Sequence, residues 1–263
     1  MGETALERVV ILGAGRVATH LVPALVKGGY TVGQVWSRTE LSARELAEPL
    51  GIPYTNSIDA VIPDADVYIA CVADSALPEI AARIIAHASK EALFIHTAGS
   101  VDMSIWKDCG AVHYGILYPL QTFSKERAVD MHDVSLFIEA SDEEAMGRVD
   151  GVARNLSDKV FVADSKRRAR LHVAAVFACN FTNAMYDAAH RLLAEDGIPF
   201  KVLLPLIDET AAKVHMLTPH EAQTGPAVRG DSVVMQGHLE SLAYNEDLHE
   251  IYSLISNYIN KNR

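Results

Sequence analysis

The segment ERVVILGAGRVATHLVPALVKGG, residues 7–29, constrains the fold of this chain more than any other stretch. The run at residues 8–12 is apolar after its first residue and ends at Gly13. Apolar residues then recur with helical spacing over residues 17–27, and two glycines at 28 and 29 end that pattern. The segment therefore predicts a strand, a tight turn and a helix that packs back against the strand.

Strand and helix signals alternate along the first 164 residues. Strands are predicted at residues 8–12, 31–36, 52–54, 66–72, 93–96, 112–117, 134–139 and 160–162. Helices are predicted at residues 17–27, 40–50, 77–87 and 143–156. Such alternation is typical of a Rossmann-type α/β fold, a doubly wound and mainly parallel sheet with helices on both faces.

After residue 164 the chain has helical spacing, which a polar segment at residues 218–231 interrupts. Helices are predicted at residues 166–194, 202–214, 233–244 and 247–260, with Pro205 tolerated in the first turn of the second one. We therefore expect two domains, a Rossmann-like domain at residues 1–164 and an all-helical domain at residues 165–263. The basic run at residues 166–168 is expected to be the solvated start of the first helix.

Three small residues, Gly13, Gly15 and Ala18, form a GxGxxA pattern at the predicted turn. The dinucleotide-binding fingerprint requires this pattern between a strand and a helix. Gly13 would permit the tight turn, Gly15 the approach of a pyrophosphate, and Ala18 close packing of the helix on the strand. The free amides of the first helical turn would face the phosphate charge. We predict a dinucleotide site, with a purely structural turn as the alternative.

The end of the second strand indicates which dinucleotide binds. An NAD site usually has Asp or Glu there, which binds the ribose 2′-hydroxyl. This chain has Ser37, Arg38 and Thr39 instead, and an arginine with flanking hydroxyls suits a 2′-phosphate. The predicted cofactor is therefore NADP. The predicted cofactor-binding residues are Gly13, Ala14, Gly15, Arg16, Val17, Ser37, Arg38, Thr39, Val72, Ala73, Asp74, Thr97 and Gly99.

Two residues at strand ends also have structural interpretations that involve no ligand. Asp74 or its neighbour Ser75 would serve as the N-cap of the following helix. His96 ends a buried strand, so a core histidine is as good an interpretation as a catalytic one.

Composition excludes several classes of function. The formal net charge is −11, which is unsuited to general nucleic-acid binding. Three widely spaced cysteines fit neither a disulfide framework nor a metal site, and free thiols favour a reducing cytoplasm. No basic-then-apolar leader and no apolar run of roughly 18 residues is present in the sequence. We expect a cytoplasmic protein without a metal and without membrane or nucleic-acid partners.

Five motifs carry a resemblance to a known family. They are ILGAGRVA (11–18), HTAGS (96–100), YPLQTF (118–123), HVAAVFACNFTNAMY (172–186) and TGPAVRGD (224–231). The chain resembles a family of NADP oxidoreductases that joins a Rossmann-like domain to a helical domain of unknown function. This family is related to 3-hydroxyisobutyrate dehydrogenase, pyrroline-5-carboxylate reductase and 6-phosphogluconate dehydrogenase. The resemblance implies an NADP site and a cleft between the domains, but it supplies no substrate.

The resemblance also directs attention to the long predicted helix. Related dehydrogenases carry a Lys–Asn pair there, beside the nicotinamide. Here Val176 stands four residues before Asn180, and His172 is the available substitute for the lysine. On a regular α-helix, His172 and Asn183 lie within about 20° of each other. His172, Asn180 and Asn183 are the predicted catalytic residues, and a buried polar network is the alternative.

The candidate substrate contacts are Gln121, Thr122 and Arg229, of which Arg229 could hold a carboxylate in a bidentate pair. Asp231 could orient Arg229 or cap the next helix. Relatives often have His where this chain has Tyr118, and the higher pKa of a phenol argues against acid–base work at that position.

The leading hypothesis is an NADP-dependent reductase or dehydrogenase. It would transfer hydride to or from a small carbonyl, imino or hydroxy acid held between the domains. The alternative is a non-catalytic NADP-binding sensor or scaffold, which the missing lysine favours. In both cases we expect a homodimer formed through the helical domain.

Overall fold

The computed structural model describes residues 7–262 and contains one eight-stranded sheet. The strand order is β3-β2-β1-β4-β5-β6-β7-β8, and only β6 and β7 pair in antiparallel fashion. The strands are β1 Arg8–Leu12, β2 Thr31–Trp36, β3 Tyr54–Thr55, β4 Val67–Ala70, β5 Leu93–His96, β6 His113–Leu120, β7 Ser135–Ala140 and β8 Val160–Val162. The predicted Rossmann-type fold class is therefore confirmed.

Five helices accompany the sheet. They are α1 Arg16–Lys27, α2 Glu40–Ala47, α3 Leu77–Ile85, α4 Ser104–Asp108 and α5 Glu143–Leu156. Apolar residues on both faces of the sheet are buried in two clusters, one under α1 and α5 and the other under α3 and α4. In the sheet, β2 and β3 lie on one side of β1, and β4 lies directly on its other side. The order in which strands are added to the sheet therefore reverses between β1 and β4. In folds of this type, ligands bind at that point.

The remaining chain is helical. Helix α6, Ser165–Ala175, continues through a π-helical turn, Val176–Phe181, into α7, Thr182–Glu195. The other helices are α8 Leu204–Lys213, α9 Pro226–Arg229, α10 Ser232–Ser241 and α11 Glu246–Lys261. Pro205 lies in the first turn of α8, as predicted. No helix within residues 7–262 is both long and apolar enough to cross a bilayer.

The chain divides into two compact units between Cys179 and Asn180. The first unit holds the sheet, α1–α5 and α6, and the second holds α7–α11. The last strand of the sheet ends at Val162, two residues before the domain boundary that the sequence predicts at residue 164.

Several elements differ from their predicted bounds. The strand expected at residues 52–54 forms at Tyr54–Thr55, where β2 supplies its pairing partners. The helix expected at residues 40–50 ends at Ala47 and finishes as a 3₁₀ turn that contains a proline. The short helices α4 and α9 were not predicted, because four or five residues show no periodicity.

Candidate active site

The glycine turn after β1 has little room for any other residue. Gly13 has a φ of +115°, a conformation that side-chain-bearing residues rarely adopt. A Cβ atom at this position would lie 2.4 Å from the carbonyl oxygen of Cys71, at the end of β4. The Gly13 amide also donates a 2.7 Å hydrogen bond to the Trp36 carbonyl at the end of β2. One glycine therefore joins the ends of three neighbouring strands.

A cleft of about 680 Å³ opens beside this turn, at the carboxyl ends of β1, β2 and β4. Gly15 precedes α1, and a Cβ there would approach the Cys71 oxygen only to 3.8 Å, so this position is open toward the cleft. The predicted cofactor residues that line the cleft are Gly13, Ala14, Gly15, Arg16, Ser37, Arg38, Thr39, Val72 and Ala73. Val17, Asp74, Thr97 and Gly99 lie outside its lining.

The cleft is rich in positive charge although the chain carries a net charge of −11. Its lining includes Arg16, Arg38, Arg83 and Lys125 but only one acidic residue, Glu79. Arg83 forms a 2.7 Å ion pair with the exposed Asp59, whereas the other three cations pair with no carboxylate within residues 7–262. These three cations are therefore available to bind an anion that carries several charges.

One end of the cleft offers hydroxyl groups next to Arg38. Ser37 is buried, and the Thr39 hydroxyl donates a 2.8 Å hydrogen bond to the Ser42 hydroxyl. Ser42 and Asn56 also line the cleft, although no sequence pattern pointed to them. These neutral donors lie beside an arginine that forms no ion pair in the described part of the chain, and together they fit the 2′-phosphate of NADP. The described residues thus suit the cofactor that the sequence predicts.

Asp74 does not cap a helix. Helix α3 begins after Ala76 without a side-chain cap, and the Asp74 carboxylate instead accepts a hydrogen bond from the Ser100 hydroxyl. The expected N-cap is therefore wrong, because a 3₁₀ turn at Asp74–Ala76 separates Asp74 from the helix. Thr97 is buried, and its hydroxyl donates to the Ala70 carbonyl at 3.3 Å.

Tyr118 and His172 form a pair at the ends of β6 and α6. The Tyr118 hydroxyl lies 3.1 Å from Nδ1 of His172, and the two rings meet edge to face. A Cβ atom on Gly99 would lie 2.7 Å from that nitrogen and 2.9 Å from the Tyr118 ring. Burial raises the pKa of Tyr118, so its hydroxyl stays protonated at neutral pH and can donate to the imidazole. The backbone after β5 therefore packs directly on this polar pair.

A buried ion pair lies one helical turn before His172. The Arg168 side chain is 1% exposed and donates to the Glu139 carboxylate at 2.6 Å. The same guanidinium donates to the Val101 carbonyl and to the Ser165 hydroxyl. The expectation that residues 166–168 form a solvated helix start is thus wrong for Arg168, because β7 presents a carboxylate to this face of α6.

His96 belongs to the core. It is fully buried, its Nδ1 accepts a 3.2 Å hydrogen bond from the Ala98 amide, and burial lowers its pKa to about 3. Cys71 is also buried, which raises the pKa of its thiol to about 12. Neither side chain is an available acid, base or nucleophile at neutral pH.

The other predicted site residues are divided between the two units. Gln121 and Thr122 are exposed after β6, and the Gln121 side chain accepts a 2.8 Å hydrogen bond from the Thr122 amide. In the second unit, Asn180 and Asn183 are exposed, as is Arg229 at the end of α9. Asn180 lies within the π-helical turn, so the regular 100° spacing used to align His172 with Asn183 does not apply.

The loop before α10 has a structural role. Asp231 accepts a 3.2 Å hydrogen bond from the Val234 amide, which makes it the N-cap of α10. Among residues 7–262 there is no group of three or more His, Cys, Asp or Glu side chains placed to hold a metal ion.

Two family models match the chain. Residues 8–99 match the model described as NADP oxidoreductase coenzyme F420-dependent, and residues 134–259 match a domain of unknown function, DUF2520. The first range contains the glycine turn and the lining from Gly13 to Arg83. The second contains His172 and all of the second unit's predicted site residues.

Solved structures of oxidoreductases are similar to nearly the whole length of this chain. A solved structure from Bacteroides fragilis, described as a "putative NADP oxidoreductase", is 47% identical with a TM-score of 0.93 and covers 98% of this chain and 99% of its own. A 1-pyrroline-5-carboxylate reductase from Streptococcus pyogenes is 13% identical with a TM-score of 0.63, over 98% of this chain and 100% of its own, which shows a shared fold.

A curated relative matches a smaller part. The glucose-fructose oxidoreductase domain-containing protein 2 of Bos taurus is 40% identical over 68 residues. That segment spans 26% of this chain and 18% of the relative.

Proposed function

The chain belongs to the family of NADP oxidoreductases that carry a helical DUF2520 domain, and on that premise we propose a reaction and the residues that perform it. The proposed reaction is hydride transfer between NADP and a small carbonyl, imino or hydroxy acid. The observation that carries the proposal is the cation-lined cleft at the glycine turn and the carboxyl ends of β1, β2 and β4. Three of its cations have no carboxylate partner among the residues that the structure describes.

The cleft residues bind and orient the cofactor. Gly13 and Gly15 let the backbone approach the diphosphate, and the first amides of α1 donate to it. Arg38 and the hydroxyls beside it hold the 2′-phosphate. When bound, NADP supplies or accepts the hydride. The protein's own task is then to hold the substrate and to move one proton.

His172 is the proposed proton carrier. In the reductive direction, the substrate carbon gains a hydride and its oxygen or nitrogen gains a proton from the imidazole. The donating form is the imidazolium: its Nε2–H gives the proton to the substrate, while its Nδ1–H donates to the Tyr118 hydroxyl oxygen, 3.1 Å away. This contact fixes the ring, which is left neutral with its proton on Nδ1. The Arg168–Glu139 pair holds the preceding turn of α6 against the sheet. General acid catalysis of this kind contributes roughly 10²–10⁴-fold.

The substrate-binding residues complete the proposal. Arg229 would hold the substrate carboxylate in a bidentate pair, which is the feature that favours an acid as substrate. Gln121, Thr122, Asn180 and Asn183 would supply neutral hydrogen bonds to the substrate.

The helical unit supports a homodimer. Many large apolar side chains of this unit are solvent-exposed, among them Met216 at 86%, Val233 at 82% and Leu254 at 73%. Apolar surface of this extent marks a protein interface. Light scattering coupled to size-exclusion chromatography is expected to give about twice the chain mass of 28.6 kDa. A monomer at micromolar concentration would contradict the dimer.

The proposed location of the protein is the cytoplasm. The three free cysteines are consistent with a reducing compartment of this kind.

A screen of turnover tests the proposed reaction. Purified protein with NADPH is assayed at 340 nm against a panel of 2-oxo acids and cyclic imino acids, with the matching 2-oxo amides as controls that lack the carboxylate. The expected result is NADPH oxidation with one class, lost in His172→Ala with unchanged NADPH affinity. If NADPH binds and alters the oligomeric state but no member of the panel turns over, the sensor or scaffold alternative is favoured.

A further inference from the structure

Lys125 is a cleft residue that the sequence pattern did not identify. It lies in the connection between β6 and β7, far along the chain from the glycine turn. Its side chain is exposed, lines the cleft together with Gly13–Arg16, and forms no ion pair within residues 7–262. Lysine is also a common phosphate-binding residue, acting as a point charge.

The residues just before Lys125 are anchored to helix α1. His20 is nine-tenths buried, and its Nε2 lies 2.8 Å from the carbonyl oxygen of Ser124. Because a carbonyl oxygen can only accept, the imidazole nitrogen carries the proton and donates. The His20 ring also stacks on Phe123, with 4.9 Å between ring centroids.

Phe123 gives this segment a second attachment. Its side chain packs against the apolar cluster that includes residues of α1 and α5. Residues 123 and 124 are thus fixed by one stacking contact, one hydrogen bond and core packing. The backbone of the next residue, Lys125, is therefore held at a fixed place beside α1.

That place is the diphosphate end of the cleft. Besides the cleft, Lys125 lines a neighbouring depression together with Thr19 and His20, both on the first two turns of α1. The amino end of α1 is where a dinucleotide's diphosphate binds in this fold. Arg38, by contrast, follows β2, at the ribose end.

We propose that Lys125 binds the diphosphate of the dinucleotide and that His20 positions it. This inference rests on the proposed cofactor site and deepens it. It commits Lys125 to the diphosphate, which NADPH and NADH share, and not to the 2′-phosphate, which only NADPH carries.

The test is fluorescence titration of full-length protein with NADPH and with NADH at low salt. Lys125→Ala is expected to raise both dissociation constants by the same factor, roughly fivefold, because a single charged contact to phosphate is lost. Lys90→Ala is the matched control, since Lys90 is an exposed lysine outside the lining of both the cleft and the neighbouring depression, and it should leave both constants unchanged.

Two outcomes would overturn the inference while leaving the cofactor site intact. One is unchanged affinity for both nucleotides in Lys125→Ala. The other is weaker binding of NADPH alone, which would place Lys125 at the 2′-phosphate. If neither nucleotide binds to the wild-type protein, the proposed function itself fails, so the two failures are distinguishable.

His20 is tested by coupling. His20→Ala should weaken binding of both nucleotides in the wild-type background but add little in the Lys125→Ala background. His20→Gln keeps a donor for the Ser124 carbonyl and should restore part of the affinity. Additive effects of His20→Ala and Lys125→Ala would show that His20 does not act through Lys125. Circular dichroism of each variant confirms that the fold is retained.

Discussion

Replacing Arg168 by leucine should destabilise the first unit strongly. The side chain is 1% exposed, and its partner Glu139 is only 14% exposed. Arg168→Leu leaves the Glu139 carboxylate without its cation and removes the donors to the Val101 carbonyl and the Ser165 hydroxyl. Removing one partner of a buried ion pair costs about 3–5 kcal/mol.

Urea denaturation followed by tryptophan fluorescence measures this cost, because both tryptophans lie in the first unit. The midpoint should fall while the slope stays the same. Arg170→Ala is the control, since Arg170 is exposed on the same helix, and it should change stability by less than about 0.5 kcal/mol. Replacing both partners, Arg168→Leu with Glu139→Leu, should recover part of the loss.

Two results would refute this reasoning. One is a cost below about 1 kcal/mol for Arg168→Leu, which is the range of a solvent-exposed pair. The other is full restoration by Arg168→Lys, because one ammonium cannot reproduce the guanidinium's hydrogen bonds to three different residues.

Other perturbations have distinct expected outcomes. Gly13→Ala should abolish NADPH binding and lower thermal stability, because its Cβ would lie 2.4 Å from the Cys71 oxygen; wild-type binding would contradict the turn geometry. His96 has a folded-state pKa of about 3, below its unfolded value of about 6.5, so stability should fall as pH drops from about 6.5 toward 3. A pH profile of unfolding that is unchanged in His96→Phe would oppose this. His172→Ala should reduce turnover roughly 10²–10⁴-fold, whereas Tyr118→Phe should shift the pH profile of turnover; equal rates in all three proteins would exclude the pair from catalysis.

The sequence predicts best those features that depend on residues close together in the chain. The glycine turn is a contiguous strand–turn–helix signal, and β1, β2 and β5 have the predicted bounds. Nine of the predicted cofactor residues line one cleft because parallel strands end at the same edge of the sheet. The identity of the cofactor, NADP, was likewise predicted from a short segment, Ser37–Thr39.

What the sequence could not predict depends on distant partners. Arg168 looks like part of a solvated basic run until β7 brings Glu139 beside it. Lys125 enters the cleft through a segment held by His20, more than 100 residues earlier in the chain. The π-helical turn at Val176–Phe181 has no periodicity signal, since it adds less than one residue per turn to an otherwise helical pattern.

The most direct test of the account is the affinity of NADPH relative to NADH in the wild-type protein and in Arg38→Ala. Losing charged hydrogen bonds to the 2′-phosphate costs about 1.5–3 kcal/mol, which is roughly 10- to 150-fold in affinity. The account predicts a clear preference for NADPH that Arg38→Ala abolishes, with little change in NADH affinity. Equal affinities for the two nucleotides, or an NADPH preference that survives in Arg38→Ala, would contradict it.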